Sequence, residues 1–145
     1  MRGRWNVWAC ILAALVYAGV VALVAEQHEE HEQHANPAAQ ALRNPTPATP
    51  ASIANGQKVF QKNCVFCHGD TGKGDGMQGE DMDPPPADLT DHEWEHGSTD
   101  GEIYTVIRGG TTHGMKAFGS KLTAGQIWDL VNFLRSIGPK PAKSH

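Results

Sequence analysis

Residues 63–69 read NCVFCHG, and the two cysteines in this stretch allow three chemical interpretations. A thioredoxin-like redox pair requires a βαβ pattern around the cysteines, which this sequence lacks. A structural zinc site requires four ligands, but the only other cysteine, Cys10, stands in an apolar N-terminal run. The third interpretation is covalent haem attachment, whose signature is C-x-x-C-H. We favour haem attachment and keep a disulfide or a zinc pair as alternatives.

The spacing of the motif suits a helix. Cys64 and Cys67 are three residues apart, and Cys64 and His68 are four apart, so all three share one helical face. Both thiols can then form thioethers with the haem vinyl groups, while the imidazole reaches the iron. The motif therefore predicts Cys64 and Cys67 as covalent haem attachment residues and His68 as an axial ligand.

The composition indicates one small domain with appendages. The chain has 145 residues, of which 39% are hydrophobic, with 16 glycines and 9 prolines. Such a loop-rich domain needs apolar mass beyond its side chains, and a haem supplies it. The net charge of −4 gives no electrostatic footprint for nucleic acid.

Residues 1–25 are predicted to be a membrane anchor. The 21 positions from Trp5 to Ala25 carry no charged side chain, which is long enough to span a bilayer. Arg2 and Arg4 precede this run, so the positive-inside rule places the remainder outside the cytoplasm, on the periplasmic side. A cleaved signal segment is the alternative, which leaves a soluble periplasmic protein. Both interpretations export the domain.

Residues 26–51 are predicted to be a tether between this segment and the domain. The tether begins with EQHEEHEQH, in which His28, His31 and His34 would be near neighbours on a helix. These histidines suggest either a metal site or an ordinary solvated segment, and the sequence does not decide between them. The remainder is rich in proline and alanine, which is typical of an extended spacer.

Residues 52–138 are predicted to be the folded, all-α domain. Ser52 is the expected N-cap of a helix that runs into the cysteine motif and stops at Gly69. Asp100 is the expected cap of a short helix, GEIYTVIR, and Thr123 opens the last helix. The glycines and prolines of residues 69–91 exclude regular structure. The last helix has an apolar stripe made of Ile127, Leu130, Val131 and Leu134. Residues 139–145 are predicted to be a C-terminal tail.

The pattern of this domain resembles class I cytochrome c. The resemblance rests on these motifs, in chain order: the helix with Gly56 and Phe60, CVFCHG, GKGDG, PPPADLTD, GEIYTVIRGG, GMKAFG and LTAGQIWDLVNFLR. It implies a fold in which the N- and C-terminal helices cross over a single covalently bound haem c. Gly56 and Phe60 would then meet Leu130 and Phe133.

The resemblance also implies a second axial ligand, Met115, in the loop THGMKAFG. The family's methionine is usually followed by proline, where this chain has Lys116. Other candidates for the sixth position are Met77, Met82, His92, His96 and His113, and an open position is a further alternative. In the family a proline carbonyl holds the proximal histidine, which points to Pro84, Pro85 or Pro86. Trp94, Tyr104 and Trp128 either line the pocket or simply pack in the core.

Charge is distributed unevenly along the domain. Eleven acidic residues lie between Asp70 and Glu102, where Lys73 is the one lysine or arginine. Arg108, Lys116 and Lys121 flank the methionine loop. One interpretation is ordinary solvated surface, and the other is a basic docking face for an acidic redox partner.

These features together predict a non-enzymatic, single-electron carrier outside the cytoplasmic membrane that relays electrons between redox partner proteins. One alternative is a subunit through which electrons enter a larger oxidase or dehydrogenase complex. A haem sensor or peroxidase-like enzyme would instead need an open sixth position and a polar distal residue such as His113. A purely structural C-x-x-C module is the remaining alternative.

Overall fold

The computed structural model of the chain describes residues 36–138, apart from Glu93, His113 and the side chain of Glu80. These residues contain five α-helices and one 3₁₀ turn. The elements are α1 (Pro37–Ala41), α2 (Pro50–Asn63), α3 (Val65–His68), the 3₁₀ turn (Gly79–Asp81), α4 (Asp100–Gly109) and α5 (Ala124–Ile137). No strand occurs within this described part of the chain. The prediction of an all-α domain is confirmed.

Helices α2 and α5 make the most extensive helix–helix contact among the described residues. A Cβ atom at Gly56 would overlap the carbonyl oxygen of Asp129 and lie 2.8 Å from Cβ of Phe133. One turn further along α2, the rings of Phe60 and Phe133 lie 5.3 Å apart and are tilted by 50°. The buried core around them contains Ile103, Tyr104, Ile107, Ile127, Trp128, Leu130, Val131 and Leu134. Glycine at position 56 thus lets the two backbones touch and the aromatic rings interlock.

Helix α2 begins earlier than predicted. Thr49, not Ser52, is the N-cap, and its hydroxyl accepts a hydrogen bond from the Ser52 N–H at 3.2 Å. Pro50 follows in the first turn, where a missing N–H costs nothing. Ser52 is instead buried within the helix, and its hydroxyl donates to Asp129 at 2.5 Å. The prediction of Ser52 as the cap is therefore wrong, because the Thr-Pro pair upstream offers the better start.

The start of α4 is also displaced by one residue, whereas that of α5 agrees with the sequence. Thr99 caps α4, and the Glu102 side chain accepts a hydrogen bond from the Thr99 N–H at 2.9 Å, which completes a capping box. Asp100 therefore lies inside the first turn and is not the cap. Thr123 caps α5 as predicted, in a second capping box with Gln126.

Residues 36–49 pack on the domain, so the predicted spacer is wrong for this part of the chain. Ala39 of α1 is buried, and a Cβ atom at Gly101 of α4 would overlap its carbonyl oxygen. Asn44 donates to the buried Asn132 side chain at 2.9 Å. A buried polar side chain such as Asn132 requires hydrogen-bond partners. Asn44, in the segment before α2, supplies one of them.

The glycine-rich loop folds back over the cysteine motif. The Gly74 N–H donates to the carbonyl of His68 at 2.9 Å, and the Leu89 N–H donates to that of Gly72 at 2.7 Å. Gly74 has a φ of 79°, and a Cβ atom there would overlap the carbonyl oxygen of Pro86. The loop is irregular as predicted, apart from the 3₁₀ turn. It brings the proline run next to His68.

Residues 1–35 lie outside the described part of the chain, and so do the predicted anchor, the histidines at 28, 31 and 34, and the tail at 139–145. Between residues 36 and 138, no helix has the length and apolar character needed to cross a bilayer.

Candidate haem-binding site

The C-x-x-C-H motif spans a junction between two helices. Helix α2 ends at Asn63, and Cys64 lies between it and α3 with φ −118° and ψ −32°. The Cys64 carbonyl accepts hydrogen bonds from the N–H groups of Cys67 at 3.1 Å and His68 at 2.9 Å. The three residues therefore stay within one turn of each other, as predicted, although they do not belong to one continuous helix. Gly69, with φ 74°, ends α3 as predicted.

The two cysteines have different surroundings. Both are free thiols, and Cys64 lines an apolar cavity whereas Cys67 does not. The Cys67 thiol points to the side-chain oxygen of Gln78 at 3.6 Å. Burial, reinforced by the charge interaction with Cys67, raises the pKa of Cys64 to about 12. Because neither cysteine is in a disulfide, both thiols remain available for covalent attachment. No group of three or more potential metal ligands of the zinc type occurs in the described ranges.

The cavity beside Cys64 has a volume of about 180 Å³, and residues from α2, the cysteine motif, α4, α5 and the loops at 82–97 and 111–118 line it. His68 and Met115 line it together with Cys64, so the structure brings three of the four predicted site residues to one space. Much of the remaining wall is apolar and includes Phe60, Pro84, Pro85, Pro86, Leu89, Ile103, Val106, Ile107, Phe118, Leu130 and Leu134. A shared apolar space with sulfur and imidazole groups is the arrangement that a ligated haem requires.

His68 is held by a carbonyl that the sequence did not identify. Its Nδ1 lies 3.4 Å from the carbonyl oxygen of Ala87. The prediction that Pro84, Pro85 or Pro86 supplies this carbonyl is therefore wrong. The acceptor is the next residue along, because the Leu89 N–H is anchored to Gly72 and this fixes the chain just before it.

Burial lowers the pKa of His68, and the bond to the Ala87 carbonyl opposes this only in part. The ring is therefore neutral at pH 7. A proton on Nδ1, which faces the Ala87 carbonyl, would leave the Nε2 lone pair for a metal. This is the protonation state that axial ligation requires.

Two hydrogen bonds with Thr111 position Met115, one between backbone groups and one to the Thr111 side chain. The Thr111 N–H donates to the Met115 carbonyl at 3.0 Å, and the Met115 N–H donates to the Thr111 hydroxyl at 3.2 Å. The sequence signal for these bonds is a hydroxyl residue four positions before the methionine. These two hydrogen bonds hold Met115 at the cavity, although it lies in a loop and not in a helix.

The other candidates for a second axial ligand differ in their relation to the cavity. Met82 and His96 also line the cavity, so they remain within its reach. Met77 is 76% exposed and His92 is exposed, and neither lines the cavity. His113 lies outside the described residues. The approach of Met82 to the cavity was not apparent from its place in the acidic loop.

The three aromatic residues Trp94, Tyr104 and Trp128 have different positions relative to the cavity. Tyr104 and Trp128 stack on each other, with ring centres 4.1 Å apart and an 18° angle, and neither lines the cavity. Core packing is therefore the correct interpretation for both. Trp94 lines the cavity, but its indole N–H donates to the Asp91 carbonyl at 2.9 Å. Trp94 therefore lines the cavity but does not donate a hydrogen bond into it.

The residues present fit a haem of the c type. An imidazole and a thioether sulfur share the cavity with one cysteine thiol, and the second thiol is one turn away. The wall offers apolar and aromatic contacts for a flat macrocycle. These groups together match the donor set of a covalently bound haem with histidine and methionine ligation.

Comparison with known proteins agrees with this chemistry. Residues 51–134, more than half of the chain, match the family described as cytochrome c oxidase, cbb3-type, subunit III. The chain is 35% identical over 85 residues to the cbb3-type cytochrome c oxidase subunit FixP of Bradyrhizobium diazoefficiens, covering 59% of this chain and 27% of that protein. It is 36% identical over 99 residues to the subunit CcoP of Rhodobacter capsulatus, covering 63% and 31%. The chain thus spans about three tenths of these relatives.

Solved structures show the same fold. A chain of the reducing HAO-like protein complex Kustc0457/Kustc0458 of Kuenenia stuttgartiensis matches with a TM-score of 0.60 and 24% identity, covering 68% of this chain and 50% of that one. Cytochrome CL of Methylophaga aminisulfidivorans matches with a TM-score of 0.53 and 23% identity, covering 67% and 58%. The prediction of a cytochrome c fold is confirmed, and covalently bound haem c is the cofactor of this domain.

Proposed function

The chain belongs to the cbb3-type cytochrome c oxidase subunit III family, and from this premise we propose that its domain is a one-electron carrier. The observation that carries the proposal is the meeting of Cys64, His68 and Met115 at one apolar cavity. When bound, haem c supplies a one-electron iron couple. The chain itself transforms no substrate.

Each site residue has a distinct proposed role. Cys64 and Cys67 would hold the haem through two thioether links, for which Cys67 would have to turn away from Gln78. His68 would hold the iron through Nε2 while Nδ1 donates to Ala87, a bond that fixes the ring and strengthens its donation. Met115 would be the second iron ligand, and Phe118 would exclude water beside it. Two ligands that bind both oxidation states allow electron exchange with little rearrangement.

The names of the relatives favour a more specific assignment within this function. FixP of Bradyrhizobium diazoefficiens and CcoP of Rhodobacter capsulatus are subunits of a cbb3-type cytochrome c oxidase. We therefore assign this domain as the point at which electrons enter a larger oxidase complex. The partner proteins are accordingly redox proteins, and an acidic one would dock at the exposed Lys116 and Lys121 near the methionine loop.

Residues 1–25 are proposed to anchor the chain in the membrane with the haem domain on the periplasmic side. The uncharged run and the two preceding arginines support this assignment. After expression in a bacterium that matures c-type haem, the protein should remain with the membranes through a high-salt wash. Recovery as a soluble periplasmic protein that lacks residues 1–25 would show cleavage instead.

Attachment chemistry tests the proposed function directly. The parent should keep its haem through acid–acetone extraction, and Cys64→Ala with Cys67→Ala should retain none. Each single variant should keep one thioether and shift the haemochrome band. The exposed Met77→Ala is the matched control and should behave as the parent. Loss of haem from the parent under extraction would refute covalent attachment.

A further inference from the structure

Arg135, in the last turn of α5, joins two other parts of the chain to that helix. Its Nε donates to the Asp100 carboxylate of α4 at 2.7 Å, and a terminal nitrogen donates to the Ser98 carbonyl. Its guanidinium carbon lies 5.8 Å from the centre of the Trp94 ring, which is within the range of a cation–π contact. The Arg135 side chain is 14% exposed, so these contacts are largely shielded from water. Arg135 therefore ties α5 both to the start of α4 and to the loop that precedes α4.

The loop in contact with Arg135 forms one wall of the haem cavity. Residues 94–97 all line the cavity, whereas Arg135 does not. These four residues belong to no helix, so their position depends on contacts with neighbouring segments. At one end, Gly97 has φ 86° and packs so closely on Glu102 that a Cβ atom would overlap its carboxylate. At the other end, the Trp94 ring lies beside the Arg135 guanidinium.

The contact between Arg135 and Trp94 links this cation to the chemistry of the cavity. The ion pair with Asp100 would by itself only join α5 to α4. Trp94, in contrast, is part of the wall that separates the cavity from solvent. Oxidation of haem iron adds a positive charge, and water stabilises that charge. A closed wall therefore favours the reduced form and raises the reduction potential, whereas a loosened wall lowers it.

We propose that Arg135 is a positioning residue that holds Trp94 in the cavity wall, excludes water there and thereby raises the reduction potential. This inference rests on the proposed function. Lysine replaces Arg135 only in part, because an ammonium group keeps the charge but lacks the planar fork that bonds Asp100 and Ser98. Since Arg135 acts through Trp94, its effect on the potential depends on the presence of the indole.

Redox titration of the full, haem-loaded chain, followed by visible absorption, tests this inference in a double-mutant cycle. Arg135→Gln should shift the midpoint potential downward, and Arg135→Lys should shift it by a smaller amount. Trp94→Ala should also lower the potential, and adding Arg135→Gln to it should cause no further shift, because residues that act through one another are not additive. Trp94→Phe keeps a ring beside the guanidinium, so Arg135→Gln should still lower the potential in that background.

Arg43→Gln is the matched control for loss of one positive charge. Arg43 is exposed and does not line the cavity, so this variant should keep the potential of the parent. Equal shifts from Arg135→Gln with and without the indole would show that Arg135 does not act through Trp94. A lower free energy of unfolding with an unchanged potential would show that Arg135 only joins the helices. Either result overturns this inference alone, whereas a parent without a reversible one-electron couple would overturn the proposed function.

Discussion

Gly56 of α2 lies directly against the backbone of Asp129 in α5, with no room for a Cβ atom. Gly56→Ala should therefore lower the free energy of unfolding of the haem-loaded protein by about 3 kcal/mol, because two backbones must separate. Chemical denaturation followed by the haem band measures this. Gly125→Ala in α5 is the matched control, since nothing lies within 4 Å of a Cβ there. If Gly56→Ala and Gly125→Ala lower the free energy of unfolding equally, the close contact between Gly56 and Asp129 is contradicted.

Asn132 should hold residues 36–49 on the domain. Its side-chain amide donates to the Thr46 carbonyl at 3.1 Å and to the Ser52 hydroxyl at 2.8 Å, and its oxygen accepts from Asn44 at 2.9 Å. Asn132→Ala should lower stability by about 2 kcal/mol, because it leaves several groups unpaired. Hydrogen exchange of residues 36–49 should accelerate more than that of α5. Asn44→Ala, which removes one of these bonds, should have a smaller effect, and uniform exchange in both variants would contradict the role of Asn132.

The sequence predicted the parts of this fold that depend on local chemistry. Thr123 starts α5 as the sequence indicated, and Gly69 ends the motif helix at positive φ. Gly56 and Phe60 contact the last helix as the family resemblance implied. The helix start and stop signals are set by residues within a few positions of each other. The contacts of Gly56 and Phe60 are long-range, and only the family resemblance implied them.

The errors arose where distant segments decide the outcome. The proline- and alanine-rich residues before Thr49 have the composition of a spacer, but Asn132, more than 80 positions away, requires hydrogen-bond partners that they supply. The acceptor for His68 is Ala87 and not a proline, because the loop is anchored by a bond between Leu89 and Gly72. Composition alone cannot show such partnerships.

Stability should depend on pH through Glu102, a buried carboxylate of α4. Burial by itself raises its pKa, but hydrogen bonds from Thr99 and Gln40 outweigh this, and its pKa is lowered from 4.5. A lowered folded pKa means that its stabilisation is present above about pH 4.5 and is lost as pH falls through the folded pKa.

Glu102→Gln should therefore lose less stability than the parent between pH 6 and pH 3 (roughly the window of carboxylate titration). Denaturation midpoints across this range measure the difference. Gln40→Ala removes one of the stabilising bonds and should give an intermediate slope. Parallel curves for the parent and Glu102→Gln would show that another carboxylate causes the acid loss.

Ligation by Met115 is the central claim, because a filled sixth position distinguishes a carrier from a sensor or a peroxidase-like enzyme. Two other sulfur residues provide the comparison. Met82 also lines the cavity, whereas Met77 is exposed and does not. Met115→Ala therefore tests the proposed loop ligand, and Met82→Ala tests a competing ligand. Met77→Ala is the control at an exposed site.

Carbon monoxide binding to the reduced protein, followed by visible absorption, is the most direct measurement. The parent, Met82→Ala and Met77→Ala should bind it poorly and keep the weak sulfur-to-iron band of the oxidised form. Met115→Ala should bind carbon monoxide readily, lose that band and have a lower reduction potential. If the parent binds carbon monoxide readily and Met115→Ala changes neither spectrum nor potential, the electron-carrier assignment is contradicted.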